Sequence, residues 1–271
     1  MPHTLCLAHL TLIELTPPRM VEAAADAGFT QVSLRLAPAT PSERQHPMIG
    51  GTAMMRETLA CLRDRGVRVH DVELVSLSAG TDVAASEPLV AAAAELGARQ
   101  MLVAGDDADE ARLAGRLREL AGLGARYGVR VGLEFMPWRG ISTLASALRV
   151  VQQAGIGGVV VDAIHLDRSG GSPAEIAAIP AAHWGWFQVC DAPAQRPLHE
   201  DELLFQARQA RLPPGRGGLD LAGMLRAIPK NSVISIETPL HGLPNLLPPV
   251  ERARMLRQAT LELLETADGQ R

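Results

Sequence analysis

Short apolar runs alternate with longer amphipathic stretches along the whole chain. The runs are β-branched or apolar and bounded by Gly, Pro or Asn, a pattern typical of buried parallel strands. They predict strands over residues 4–9, 30–36, 67–75, 100–104, 129–135, 157–162, 185–190 and 232–237. The Ala-, Leu- and Arg-rich stretches between them predict helices over residues 17–27, 52–65, 86–97, 108–127, 143–154, 173–179, 219–227 and 249–265.

Eight β/α units in strict order favour parallel strands joined by crossover helices. A closed (β/α)₈ barrel needs about 250 residues, which the 271-residue chain supplies. The competing fold is an open doubly wound sheet, but no G-x-G-x-x-G motif follows the first strand. We therefore predict a single (β/α)₈ TIM barrel domain over residues 1–271. Residues 191–218, after the seventh strand, are predicted to be a long and functional loop.

Four polar side chains stand at the carboxyl ends of the last four predicted strands. They are Glu134, Asp162, Gln188 and Glu237. In a barrel the carboxyl ends of all strands open onto one face, where active sites lie. Adjacent buried carboxylates repel one another unless a cation or protons compensate their charge. Three carboxylates and an amide oxygen make a hard oxygen site, so we predict that these four residues bind a divalent metal.

Further candidate residues lie near the same predicted barrel mouth. His165, in the loop after Asp162, is a candidate proton relay or hydrogen-bond donor. Arg35 ends the second strand and could fork onto an anionic or hydroxylated substrate, while Trp138 could wall the pocket. The other candidate substrate contacts are His70, Glu73, Arg211 and Arg216, with weaker cases for His9, Arg196 and Arg208. His70 and Glu73 would face opposite sides of an undistorted strand, so only one of them is expected to face the lumen.

Composition excludes several other classes of protein. The chain is 47% hydrophobic and 21% charged with a net charge of −4, so we expect no global basic surface for nucleic acid. Its three cysteines form no CxxC motif, which favours reduced thiols over a disulfide framework. The N-terminal segment lacks the basic region of a signal peptide, and no uncharged apolar run reaches about 18 residues. We therefore expect a cytoplasmic protein that neither enters a membrane nor binds nucleic acid.

Several motifs resemble one enzyme superfamily in both order and spacing. The segments GLEF, VVVDAIH, FQVCDAP, LPPGRGGLDL and SIETP look like those of the sugar phosphate isomerase/epimerase superfamily, which has a xylose isomerase-like barrel. The resemblance implies one divalent metal ion (Mn²⁺, Mg²⁺, Co²⁺ or Zn²⁺) at Glu134, Asp162, Gln188 and Glu237. Many isomerases and epimerases of this superfamily have histidine where this chain has Gln188. In this respect the chain is similar to 3-dehydroshikimate dehydratases.

The resemblance implies an isomerase or epimerase that moves a proton through a metal-stabilised enediolate of a carbohydrate-like substrate. Glu134 and Glu237 would carry the proton, with His165 as a third catalytic group. The alternatives are a metal-dependent dehydratase of the 3-dehydroshikimate type, in which His165 is the candidate acid for the leaving group, and a non-catalytic sugar- or metal-binding relative. A homodimer or homotetramer is the expected assembly.

Overall fold

A computed structural model describes residues 3–40 and 43–269 of the chain, and the side chains up to residue 267. Its eight strands pair in parallel, each with the next along the chain and the eighth with the first. They are β1 Thr4–Leu7, β2 Gln31–Arg35, β3 Arg68–Ser78, β4 Gln100–Asp106, β5 Arg130–Glu134, β6 Gly158–Asp162, β7 Trp184–Val189 and β8 Val233–Ile236. The predicted barrel is confirmed, and each predicted strand overlaps an observed one.

Ten α-helices join and follow the strands in the described part of the chain. They are α1 Pro17–Asp26, α2 Ala53–Arg65, α3 Glu87–Glu95, α4 Glu110–Arg126, α5 Leu144–Ala154, α6 Ala163–Arg168, α7 Pro173–Ala177, α8 Glu200–Gln209, α9 Leu221–Ala227 and α10 Pro249–Gly269. Local signals set several ends: the Thr143 side chain caps the start of α5, and Gly155 ends it with φ 71°. No helix among the described residues is long and apolar enough to cross a membrane.

Two of these helices differ from the prediction. His165 lies in α6 rather than in a loop, because the Asp162 side chain accepts a hydrogen bond from the Ile164 amide and caps a six-residue helix. The long segment after β7 contains α8, which buries only Ala207 among its residues. This helix is short of apolar positions, so the periodicity of the sequence gave no sign of it.

The apolar core has two parts, one between strands and helices and one inside the barrel. The inner cluster contains Leu74, Leu102, Ala104, Met136, Val160 and Trp186. Trp186 fills the space above Gly132, where an added Cβ would lie 2.5 Å from its ring. The barrel interior is therefore packed beneath the ends of the strands, and the open space lies above it at the mouth.

Strand β3 is irregular, and this decides which of its side chains face inward. Pairing with β2 runs Val32–Val69 and then Ser33–Asp71, so His70 is an extra residue at a bulge. Asp71 and Glu73 both point inward, where each contacts the Ser33 hydroxyl. Alternation therefore holds between Asp71 and Glu73 but is broken at His70, which packs against Trp186 of the inner cluster.

Candidate active site at the barrel mouth

The four predicted ligands lie at the mouth and are buried. Glu134 and Asp162 are the last residues of β5 and β6, Gln188 is near the end of β7, and Glu237 directly follows β8. Each is exposed by 3% or less, so none is merely a solvated strand-end side chain. In the sheet Asp162 pairs with Gln188, and the Glu237 amide donates to the Val189 carbonyl at 3.1 Å. The sheet itself therefore brings these side chains to one side of the mouth.

Arg211 joins two of these carboxylates. Its Nη1 donates to Asp162 Oδ2 at 2.7 Å and its Nη2 lies 3.1 Å from Glu237 Oε2. The same guanidinium donates to the Glu237 carbonyl at 2.8 Å and, through Nε, to the Ala207 carbonyl at 2.6 Å. Arg211 is only 3% exposed, so its positive charge acts on the buried groups of the site rather than on solvent. The sequence suggested Arg211 as a substrate contact but gave no sign of this bridge.

The three carboxylates differ in how their charge is compensated. Burial, with the nearby charges of Glu237 and Asp162, raises the pKa of Glu134 well above its ordinary value. Burial also raises the pKa of Glu237 to about 8, although Arg211 opposes the shift. Burial also acts to raise the pKa of Asp162, but the positive charge of Arg211 outweighs it and the pKa of Asp162 is lowered. One guanidinium is thus too little positive charge for three ionised carboxylates.

The residues present fit a divalent metal ion. The buried Gln188 Oε1 has no hydrogen-bond partner among the described residues, although a buried amide oxygen ordinarily has one. Ligand atoms of Glu134, Asp162 and His165 lie within 4.8 Å of one another. Carboxylate and amide oxygens with one imidazole nitrogen suit Mg²⁺, Mn²⁺ or Zn²⁺. The geometry therefore adds His165 as an alternative ligand to the oxygen set predicted from the sequence.

His165 carries little positive charge at neutral pH. Burial lowers the pKa of its imidazole to about 4, even though Asp162 opposes the shift. Its Nε2 lies 3.8 Å from Glu134 Oε1, and its ring meets the Trp138 ring at 5.1 Å. Its Nδ1 is buried and has no hydrogen-bond partner within the described part of the chain. A neutral imidazole of this kind can donate one hydrogen bond or bind a metal, and it is a weak source of protons.

A small cleft opens above these groups, with a cavity volume of about 50 Å³. Of the residues predicted from the sequence, those that line it are Glu134, Glu237, His165, Arg35, Trp138, Arg211 and Arg208. Arg139 and Glu43 line it as well. Arg139 directly follows Trp138 in the segment FMPWRG, so position after β5 was the signal that could have identified it.

A model of the Xylose isomerase-like TIM barrel family matches residues 21–259. The chain belongs to this family. Two curated 3-dehydroshikimate dehydratases are similar to it. The Pseudomonas putida enzyme is 32% identical over 232 residues, which are 79% of this chain and 34% of that protein. The Pseudomonas aeruginosa enzyme is 34% identical over 142 residues, 49% of this chain and 22% of that protein. The chain thus spans about a third or less of these relatives.

Solved structures share the fold at lower identity. A xylose isomerase-like TIM barrel/4-hydroxyphenylpyruvate dioxygenase fusion protein has a TM-score of 0.81 and 24% identity, covering 98% of this chain and 43% of that one. The IOLI protein with a bound zinc atom has a TM-score of 0.78 and 16% identity, covering 97% and 99%. An L-ribulose 3-epimerase has a TM-score of 0.71 and 16% identity, covering 99% and 97%. Structures that share this fold thus include an epimerase.

Three of the predicted substrate contacts do not reach the cleft. His70, extruded at the β3 bulge, packs edge-on against Trp186 at 5.4 Å. Glu73 is fully buried and does not line the cleft, because both of its oxygens are bonded within the barrel. Arg216 is 68% exposed at its side chain and lies 3.8 Å from Glu262 on α10. The prediction that these three residues contact the substrate is therefore corrected, because none of them lines the cleft.

Arg35 and His9 are held by protein groups as well. Arg35 Nε and Nη2 donate to Glu73 Oε2 at 2.9 and 2.6 Å, and its Nη1 reaches Glu43. Arg35 therefore lines the cleft as the outer member of a buried ion pair. His9 accepts from the Arg35 amide and contacts the Leu15 carbonyl, which gives it a structural role.

Proposed function

We propose that this chain is a metal-dependent dehydratase that removes water from a β-hydroxy ketone of the 3-dehydroshikimate type. The observation that carries this choice is the unequal state of the two glutamates lining the cleft. Glu237 is bound by Arg211, whereas Glu134 has no guanidinium partner among the described residues. A single free carboxylate suits an elimination, in which the group that takes a proton can return it to the leaving hydroxyl. The two curated dehydratases support the same choice.

The reaction divides into steps that the residues can perform. When bound, a divalent cation supplies Lewis-acid polarisation of the ketone oxygen. Glu134, as a carboxylate, removes the proton from the carbon next to that ketone, and its electron pair forms an enolate. The enolate then expels the β-hydroxyl, which leaves as water with the proton from Glu134. His165, neutral and 3.8 Å from Glu134, donates a hydrogen bond in this proposal rather than a proton.

Arg211 and Gln188 have supporting roles in this proposal. Arg211 lowers the pKa of Asp162 and opposes the burial that raises the pKa of Glu237, so it compensates part of the negative charge before a metal ion binds. Gln188 offers its unpartnered amide oxygen to the cation without adding negative charge. The Trp138 ring, packed on His165, shields one side of the cleft from water.

The direct test is turnover of 3-dehydroshikimate by the protein loaded with Mn²⁺, Co²⁺, Mg²⁺ or Zn²⁺. Loss of water and enolisation of its six-membered ring give 3,4-dihydroxybenzoate, whose aromatic absorbance follows the reaction. We expect Glu134→Gln to abolish turnover while metal content stays near that of the native protein. Glu262→Gln, on the exposed face of α10, serves as the matched control and keeps full activity. No product with any of the four metals would rule out this reaction.

An isomerase or epimerase is the second candidate function. It is favoured by the presence of two glutamates of raised pKa on the cleft, since epimerisation is commonly served by a proton carrier on each face. A panel of keto-sugars in deuterated water separates the two. Incorporation of deuterium beside the ketone without loss of water would favour the isomerase. No exchange with any keto-sugar or keto-acid would favour a binding protein without catalysis.

A further inference from the structure

Arg208 is the one cleft-lining guanidinium without a carboxylate partner among the described residues. Four arginines line the cleft. The other three each contact an acidic side chain: Arg35 contacts Glu73, Arg139 contacts Asp106, and Arg211 contacts Asp162. Arg208 instead lies over the Trp138 ring, with its Cζ 5.7 Å from the ring centroid. A half-buried positive charge held only by an aromatic face has capacity left for an anion.

The surroundings of Arg208 make an anion there more favourable. Burial lowers the pKa of Arg208, and the nearby charges of Arg139 and Arg35 lower it further, while the Glu43 carboxylate opposes the shift without forming an ion pair with Arg208 among the described residues. The buried Nε of Arg139 has no hydrogen-bond partner in residues 3–40 and 43–269. Arg35 and Arg139 are paired with carboxylates, so Arg208 is the guanidinium of this cleft on which the charge of an incoming anion would act most directly.

Two ring contacts connect the Glu134 part of the cleft to Arg208. Contacts run from Glu134 to His165 at 3.8 Å, from His165 to Trp138 at 5.1 Å, and from Trp138 to Arg208 at 5.7 Å. A substrate that presents its reacting carbon to Glu134 and lies along Trp138 would therefore bring its far end to Arg208.

Helix α8 fixes Arg208 in this position. The preceding residue, Ala207, is 1% exposed, and its carbonyl accepts from Arg211 Nε at 2.6 Å. One position earlier, Gln206 Oε1 accepts from Arg168 Nε at 2.9 Å. The helix that carries Arg208 is thus bonded directly to the arginine that compensates the carboxylates.

We propose that Arg208 binds a carboxylate of the substrate at the end of the cleft remote from Glu134, and that this contact selects keto acids over uncharged keto-sugars. The inference rests on the function proposed above, since it concerns the same cleft. One unpaired guanidinium balances one negative charge, which matches a carboxylate better than a phosphate monoester. Trp138 supplies a flat apolar surface between the two ends, which suits a ring.

The test compares two ligands that differ only in the carboxylate. Catechol and 3,4-dihydroxybenzoate share a ring with vicinal oxygens, so both can occupy the end near Glu134. Calorimetric titration of the Mn²⁺-loaded protein should show that the acid binds at least tenfold more tightly than catechol. Arg208→Met should remove that preference, Arg208→Lys should keep part of it, and Arg216→Met, an exposed arginine outside the cleft, should keep all of it.

Two results would overturn the assignment of Arg208. One is an undiminished preference for the acid in Arg208→Met, and the other is tighter binding of catechol 4-phosphate than of 3,4-dihydroxybenzoate. Failure of the proposed reaction gives a different result. If the preference for the acid depends on Arg208 but 3-dehydroshikimate is not turned over, the carboxylate subsite is supported and the dehydratase function is refuted. Turnover with an unchanged KM in Arg208→Met keeps the dehydratase and removes the subsite.

Discussion

Replacing Arg211 by methionine tests whether this arginine acts as a fixed positive charge for the site. Methionine keeps most of the side-chain length and removes the charge and all of the hydrogen bonds. Asp162 and Glu237 would then lose contacts of 2.7 and 3.1 Å in a buried environment. Removing one partner of a buried ion pair destabilises a protein by about 3–5 kcal/mol. We expect a loss of that size in the metal-free protein, reduced to the extent that the carboxylates take up protons.

The same substitution should strengthen the binding of a divalent cation. Arg211 contacts Asp162 and Glu237, so its positive charge opposes a cation bound at the same carboxylates. We expect the Kd for Mn²⁺ to fall at least tenfold, equivalent to about 1.4 kcal/mol. Because a ligand at 100 times its Kd stabilises the folded state by about 2.7 kcal/mol, saturating Mn²⁺ should restore much of the lost stability.

Urea unfolding in chelator and in excess Mn²⁺ provides the measurement, with titration calorimetry for the Kd. Arg216→Met is the control, because that side chain is exposed and lies against α10, and its effect should stay within about 0.5 kcal/mol. Equal stability of Arg211→Met and the native protein in chelator would refute the charge-compensation argument. A weaker rather than tighter Kd for Mn²⁺ would show that Arg211 chiefly organises the ligands.

Three further predictions concern the metal site, the packed interior and pH. Gln188→Ala should weaken Mn²⁺ binding at least about tenfold in calorimetry, because it removes the unpartnered amide oxygen; an unchanged Kd would exclude it as a ligand. Gly132→Ala should lower the free energy of unfolding by about 1–3 kcal/mol, since the new Cβ would lie 2.5 Å from Trp186. The control is Gly115→Ala in α4, where an added Cβ would meet no described atom within 4 Å, so this variant should not destabilise the protein. Burial lowers the pKa of His70 from 6.5 to about 4. The neutral side chain therefore contributes about 3 kcal/mol to the free energy of unfolding above pH 6.5, and this contribution is lost as pH falls towards 4. His70→Leu should flatten that part of the urea-midpoint profile between pH 7 and 5, and an unchanged slope would contradict the assignment.

The barrel followed from the sequence because its signal is distributed over many residues. Eight short apolar runs with Gly, Pro or Asn at or near one or both ends indicate parallel strands without any knowledge of long-range contacts. The positions of Glu134 and Asp162 at strand ends were predictable for the same reason, since the last residue of a barrel strand points to the mouth.

The features that the sequence did not reveal depend on long-range geometry. The bulge in β3 breaks the side-chain alternation at His70, so the expectation that His70 and Glu73 face opposite sides of the strand does not hold. Helix α8 has one buried residue and therefore no apolar period to detect. The bridge from Arg211 to Asp162 spans 49 positions of the chain, and only the folded barrel brings the two together.

Charge balance links the metal site to the proposed substrate. Glu134, Asp162 and Glu237 carry three negative charges when all are ionised, and Arg211 supplies one positive charge inside the same cluster. Two negative charges remain, which one divalent cation would neutralise, and a fourth carboxylate in place of the neutral Gln188 side chain would disturb that balance. With the site neutral, Arg208 is the cleft cation that still lacks a carboxylate among the described residues. A substrate with a single negative charge at its far end would complete the compensation, whereas an uncharged sugar would leave the arginine half-buried and unpaired.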